Sequence, residues 1–309
     1  MNGPQSVGMA PGSTEFSSES GAILRDTIAN LQSRLGDQLS DITVERVVIG
    51  IFFIGVKLSN GSGGLCFTPV KEIPEAVCCP SSLKALPWTG KFRGRPVTDF
   101  FGALFDRSPM KRAIGIAILN ALSASFLEQS RELEYTIEKG SDALEMIEIP
   151  DGANVVVIGA LVPILMRLKK RGSPFSIIEM DPRTLKEDEM PFWVPVERTG
   201  EVVSQADILV ITGTTLLFHS LEPILAHVKP GAHIVLVGPT ASMLPDAFFQ
   251  RGVHVMGGDL VTSPDDLLDI LSEGGSGYHF FGKSAERITI QRRDSASHDA
   301  GFVQIQHRG

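Results

Sequence analysis

The chain has only three cysteines in 309 residues, Cys66, Cys78 and Cys79, and the last two are adjacent. Three thiols cannot all pair, which argues against a disulfide framework and fits a reducing compartment. A basic excess is also missing: 28 Lys and Arg stand against 36 Asp and Glu, a formal net charge of −8. That balance leaves no electrostatic footprint for nucleic acid. No apolar run reaches the roughly 20 residues of a membrane-spanning helix, because "RAIGIAILNALSASFL" is broken by Asn120 and two serines. The first 20 residues have neither the basic n-region nor the apolar h-region of a signal peptide and are expected to form a disordered arm. The expectation is an acidic, soluble, cytoplasmic protein that binds neither nucleic acid nor membrane. A homo-oligomer is left open.

Several motifs of familiar chemistry are absent too. There is no C-x-x-C and no H-E-x-x-H, and histidines 219, 227, 233, 254 and 279 are scattered, so no dedicated metal site is expected. Cys78 and Cys79 could hold a soft metal, but neighbouring side chains on an extended chain point to opposite faces, and inert thiols are the preferred reading. No G-x-S-x-G elbow marks a nucleophile. Gly159 is followed by "ALVPILMRL", so the three glycines that let a backbone approach a pyrophosphate are missing. NAD is therefore disfavoured. An S-adenosylmethionine-like nucleoside stays open, since one glycine turn suffices where no pyrophosphate is gripped.

What is present is a chain that is 43% hydrophobic and longer than a usual single domain of about 100–150 residues, so two domains are expected. In residues 21–150, "GAILRDTIANLQSRLG" has helical periodicity, strands follow at "VERVVIG", "FFIGVKL" and "LCFTPV", and Pro109 can open a long helix. This is an α+β domain. From 151 to 293 the rhythm changes to alternating strands and helices: "ANVVVIGA", "FSIIEMD", "DILVITG", "HIVLVGP" and "VHVMGG" are strands, and "SPDDLLDILSEGG" is a capped helix. The predicted fold class is α/β, a Rossmann-like, doubly wound, mostly parallel sheet preceded by the smaller α+β domain. Residues 294–309 read as a tail.

Ligands of such sheets bind outside the carboxyl ends of the strands. Gly159, Glu179, Asp181, Gly213-Thr214-Thr215 and Gly238-Pro239-Thr240 all sit at predicted strand ends. Glu179 could accept ribose hydroxyl hydrogen bonds, or be an ordinary strand-end acid. Residues 213–219 read as a loop before a helix starting near Leu221 with Ser220 as cap. Thr214 and Thr215 offer hydroxyls to a ligand, or Thr214 merely caps a turn. Asn120, apolar on almost every side, must find partners; it either tethers a loop or faces a cleft between the domains. Lys71 and Glu72 could act as acid, base or anion clamp, or form a solvated charge pair.

The stretches "GLCFTPVKEIPEAVCCPSS", "RAIGIAILNALS" and "ITGTTLLFHSLEPIL…VLVGPTASMLPDAFFQRGVHVMGG" resemble the two-domain family labelled putative heavy-metal chelation. That resemblance, over about residues 21–290, implies an enolase-N-terminal-like domain joined to a Rossmann-like domain, with a ligand pocket at their junction. It also implies a role in condensation or hydrolysis steps that make pterin-, flavin- or siderophore-like chelators. Asn120, Gly159, Gly213, Thr214, Thr215, Gly238, Pro239 and Thr240 match its motif positions. His219 stands where an asparagine is expected. Two functions follow: an enzyme acting on a small polar molecule, with the threonine loop holding it and Asn120 orienting it, or a non-catalytic protein that sequesters a metabolite or metal chelate.

Overall fold

The computed structural model describes residues 21–72, 88–129 and 135–292, so Cys78, Cys79 and both terminal segments lie outside the described residues. Continuous β-branched runs and short glycine-punctuated connections produce the large sheet. Its strands are β4 (Tyr135–Lys139), β5 (Val155–Ile158), β6 (Phe175–Ile178), β7 (Trp193–Val194), β8 (Ile208–Thr212), β9 (His233–Val237), β10 (Val255–Val261) and β11 (Ala285–Arg292). They are ordered β4-β11-β10-β9-β8-β5-β6-β7. Neighbours from β10 through β7 pair in parallel, and β11 is antiparallel to both β10 and β4. β5, β8 and β9 are buried along nearly their whole length, as expected of parallel strands covered on both faces.

The smaller sheet is an antiparallel β1-β2-β3, Val44–Ile49, Phe53–Leu58 and Gly63–Phe67. Alternation along β2 explains its position. Ile54, Val56 and Leu58 join the main core with the helix Pro109–Gln129, while Gly55 on the other face lies against Leu268 and Leu271 of the helix Pro264–Ser272. A Cβ on Gly64 would come within 2.2 Å of the Ala117 carbonyl oxygen and 2.4 Å of the Ala121 nitrogen, so glycine there lets β3 lie directly on the helix backbone. The helix is long and apolar enough to cross a membrane by composition, but 89% of its apolar window is buried inside the protein. It is the central core helix.

Three features differ from the sequence expectation. The charged stretch before 150 contains β4, so the large sheet draws an edge strand from upstream of the expected boundary. β10 does not end at Gly257-Gly258 but continues through Asp259 to Val261. Residues 213–219 are not an open loop, because Gly213–Leu216 closes into a 3-10 turn before the helix Leu221–Leu225.

Candidate functional site

From β5 the chain proceeds to β6 and β7 on one side, then returns to β8, β9 and β10 on the other. The strand order therefore reverses between β5 and β8, where the two outgoing loops part. Gly159 ends β5 with φ +98, and a Cβ there would lie 2.8 Å from Thr212 Cγ2; only glycine lets the two loops come this close. The Ala160 N–H donates to Glu179 Oε2 and the Asp181 N–H to Glu179 Oε1, both at 3.0 Å. Glu179 thus clasps the turns after β5 and β6, and both its oxygens are engaged by backbone rather than presented to a ribose. Next to it, Asp181 pairs with Arg183 and with Lys71, which reaches over from the smaller domain. The Arg183 guanidinium, then the Lys71 ammonium, hold the Asp181 carboxyl well below the usual carboxylate range. Lys71 is 63% exposed, so this is a solvated pair across the junction.

In the loop after β8 the cap is Thr212, whose Oγ1 accepts from the Thr214 N–H at 3.4 Å and lies 3.1 Å from the Thr214 hydroxyl. Thr215 Oγ1 donates back to the Thr212 carbonyl at 2.8 Å. Thr215 is buried, whereas Thr212 and Thr214 are half-buried and lie at the rim. A Cβ on Gly213 would lie 3.0 Å from Ala241, so the 213–216 turn packs directly on the turn after β9.

That second turn is welded to the smaller domain. Asn120 Nδ2 donates to the carbonyls of Leu65 (2.6 Å), Pro239 (3.0 Å) and Thr240 (3.2 Å). Thr240 Oγ1 accepts from the Phe67 N–H at 3.2 Å, and the Cys66 thiol points at it. Of the two readings of Asn120 the structure has the tether: its amide is 2% exposed and joins β3 to the Gly-Pro-Thr turn. Asn120 and the threonine loop thus do not converge on one hollow; the 239–241 turn lies between them.

His219 is apart from all of these. It has φ 51, in the left-handed region where asparagine and histidine are the tolerated side-chain-bearing residues, which explains why either fits there. Its ring is 7% exposed, next to Gly21 and near Leu104 and Arg112. Burial, with Arg112 and Arg25 nearby, pushes the imidazole down to about 4.

Two residues escaped the sequence reading. Thr212 was taken as the end of a strand; the signal was a hydroxyl at the last strand position, a usual place for an N-cap. Asp259 lies inside β10, 8% exposed, and burial pushes its carboxyl up to about 7 against the pull of Arg287. Its signal was an acid within an apolar strand. Two hollows, of about 190 and 350 Å³, flank the helix Val162–Arg171, the first at the amino end of β6, and are lined by none of the expected site residues. Among the described residues no three His, Cys, Asp or Glu stand close enough to hold a metal ion. Burial pushes the Cys66 thiol far up, which keeps it from the thiolate form that metals need. The described residues therefore do not fit a resident metal.

Two family models, both described as "Putative heavy-metal chelation", match residues 32–123 and 142–290. The chain belongs to this family. An uncharacterised protein of Methanocaldococcus jannaschii is 27% identical over 177 residues, 57% of this chain; the chain spans 64% of that relative's length. A Pyrococcus horikoshii protein of unknown function superposes with a TM-score of 0.66 at 16% identity, covering 87% of this chain and 99% of that one. One from Desulfitobacterium hafniense gives 0.61 at 17% identity, over 86% and 98%. At these identities the two structures establish the shared fold of the family.

Proposed function

We propose that this family member binds a small polar metabolite in the crevice outside the carboxyl ends of β5 and β8. The finer reading is an enzyme of metal-chelator synthesis, acting by condensation or hydrolysis on a pterin- or siderophore-like precursor, with an S-adenosylmethionine-like nucleoside as the cofactor left open. The observation that carries it is the reversal of strand order at that point, where Gly159 lets the Thr212 side chain lie against the β5 turn and the half-buried Thr212 and Thr214 hydroxyls stand paired beside it. Gly213, Gly238 and Pro239 would form the opposite wall. Lys71, paired with Asp181 at the turn after β6, is an exposed cation beside it.

A second reading, a non-catalytic binder, is favoured by the hydrogen-bond inventory. Thr215, Thr240 and Glu179 spend hydroxyl and carboxylate oxygens on backbone groups, as Asn120 spends its amide nitrogen. Ligand-dependent thermal shift tests the site. S-adenosylmethionine, pterins and metal chelates are expected to include one that stabilises the protein, by about 2.7 kcal/mol at a hundredfold excess over Kd. Thr214→Val is expected to reduce that shift at least severalfold. A stabilising ligand whose shift ignores Thr214→Val, or a panel with no response, counts against the crevice. Mass-spectrometric detection of turnover separates enzyme from binder.

A further inference from the structure

The chain leaving β3 is anchored to the large sheet at two points. The Phe67 N–H donates to Thr240 Oγ1 in the turn after β9, and Lys71 pairs with Asp181 in the turn after β6. β8 and β5 lie between β9 and β6, so the two anchors stand three strand spacings apart, about 14 Å. Four residue steps reach at most about 14 Å when fully extended. The 3-10 turn Val70–Glu72 shortens that reach and leaves the lysine side chain to close the gap. Residues 67–71 therefore take the direct line between the two turns, which passes the carboxyl ends of β8 and β5.

The two anchors are unequal. The first is built into the smaller domain: Thr68 is buried, its N–H donates to the Phe52 carbonyl at 3.0 Å and its hydroxyl to the Gly50 carbonyl at 2.8 Å, and Pro69 is buried beside it. The second is an ion pair at the surface. Both Val70 and Lys71 are exposed, and the Val70 N–H bonds back to the Thr68 carbonyl within the segment itself. Asp181 does not depend on Lys71. The Arg183 guanidinium grips both its oxygens, at 2.8 and 3.0 Å, and the Arg183 N–H adds a third bond at 3.2 Å. An exposed pair of this kind breaks at little cost and weakens as salt rises.

We propose that Val70–Glu72 is a latch at the mouth of the β5–β8 crevice, closed by the Lys71–Asp181 pair, and that breaking the pair lets the turn swing out from Pro69 and admits ligand to Thr212 and Thr214. A hinge of this kind needs only a few dihedrals at the end of a fixed segment, and the step from buried Pro69 to exposed Val70 supplies that end. Gly159, Ala160, Thr212 and Thr214 are each half-buried, as a covered mouth would leave them. The inference rests on the crevice proposed above and adds its means of entry.

Thiol labelling of the full chain tests the latch without a ligand. Thr214→Cys places a reporter in the crevice, and N-ethylmaleimide incorporation at that position is followed by peptide mass spectrometry, which separates it from the native cysteines. Adding Lys71→Met is expected to raise the labelling rate at least severalfold. Sodium chloride is expected to raise it while Lys71 is present and to have little effect once Lys71 is replaced. Cys66 is the internal control: fully buried beside Thr240 at the first anchor, it should stay unlabelled throughout. Equal rates at position 214 with and without Lys71→Met would overturn the latch. So would labelling of Cys66 in step with position 214, because the whole segment would then be peeling away. Thr212→Cys reports the same opening should Thr214→Cys not fold. Because no ligand takes part, a thermal-shift panel without a response counts against the crevice as a binding site, while the latch stands or falls on these rates.

Discussion

At the scale of single residues, the most consequential polar group is an amide that ties two chain segments together. Asn120 satisfies three carbonyls on two different chain segments from within an apolar helix. Asn120→Leu strips those carbonyls of their donor, and each buried polar group left unpaired costs about 1–3 kcal/mol. We expect a loss of about 3 kcal/mol in urea unfolding; a loss below about 1 kcal/mol would mean that the tether is dispensable. Two buried titratable groups make a second prediction. The folded imidazole of His219, faced by Arg112 and Arg25, titrates near 4 rather than 6.5. Its contribution is full above pH 6.5 and is lost as pH falls towards 4. Asp259, faced by Arg287 and Asp142, is raised from 3.8 to about 7, so its contribution is full at low pH and is lost as pH rises through 7. Between pH 4 and 6.5 the unfolded chain has protonated His219 and ionised Asp259 while the folded chain has neither, and the two slopes of about 1.4 kcal/mol per pH unit oppose each other. Each variant should expose the other. Relative to wild type, His219→Asn, which keeps the left-handed backbone, should lose roughly 2–3 kcal/mol between pH 4.5 and 6.5, and Asp259→Asn should gain a similar amount. Parallel pH profiles of urea stability for all three proteins would refute both assignments.

At the scale of elements, packing distances rather than propensity decide what a substitution does. Gly64→Ala forces β3 off the backbone of the central helix, and overpacking of this kind costs about 1–3 kcal/mol or somewhat more. Gly102, with nothing within 4 Å of its absent Cβ, is the control and should tolerate alanine with little change in Tm. The elements that the sequence revealed were those with strong local signals. These were the period of Ala22–Leu35, the apolar runs of β5, β8 and β9, and the Pro163 and Gly172 punctuation of the helix Val162–Arg171. β4 was hidden because "YTIEK" lies at the sheet edge with three of its five residues exposed, and its one partner, β11, comes about 150 residues later. β10 looked finished at its glycines because its remaining pairing partner, β11, comes some 25 residues later. The site was legible in the same uneven way. Strand-end glycines and threonines were found because turn chemistry is local, but the engagement of the Thr240 hydroxyl and of the Pro239 carbonyl depended on contacts between segments more than 100 residues apart.

At the scale of the whole molecule, the two family domains share one core. One core cluster contains Ile23 and Leu31 of the first helix, Ile114 and Leu122 of the central helix, and Val156, Leu209, Leu236 and Met256 of the large sheet. The exchange runs both ways. The helix Pro264–Ser272 covers the outer face of the small sheet, and Arg46–Asp269 and Lys57–Asp265 pair across that contact. Glu222 accepts from the Ile23 N–H at 3.0 Å, so the second half of the chain satisfies a helix start in the first half. A fragment of residues 135–292 would therefore expose one apolar face of its sheet and leave the carbonyls of Pro239 and Thr240 without Asn120. We expect that fragment to bind ANS and lack near-UV circular dichroism, and to unfold without a sharp transition, while the full chain melts once. Two separate transitions in the full chain, or a fragment that unfolds cooperatively, would show that the joint core is not what holds the large sheet together.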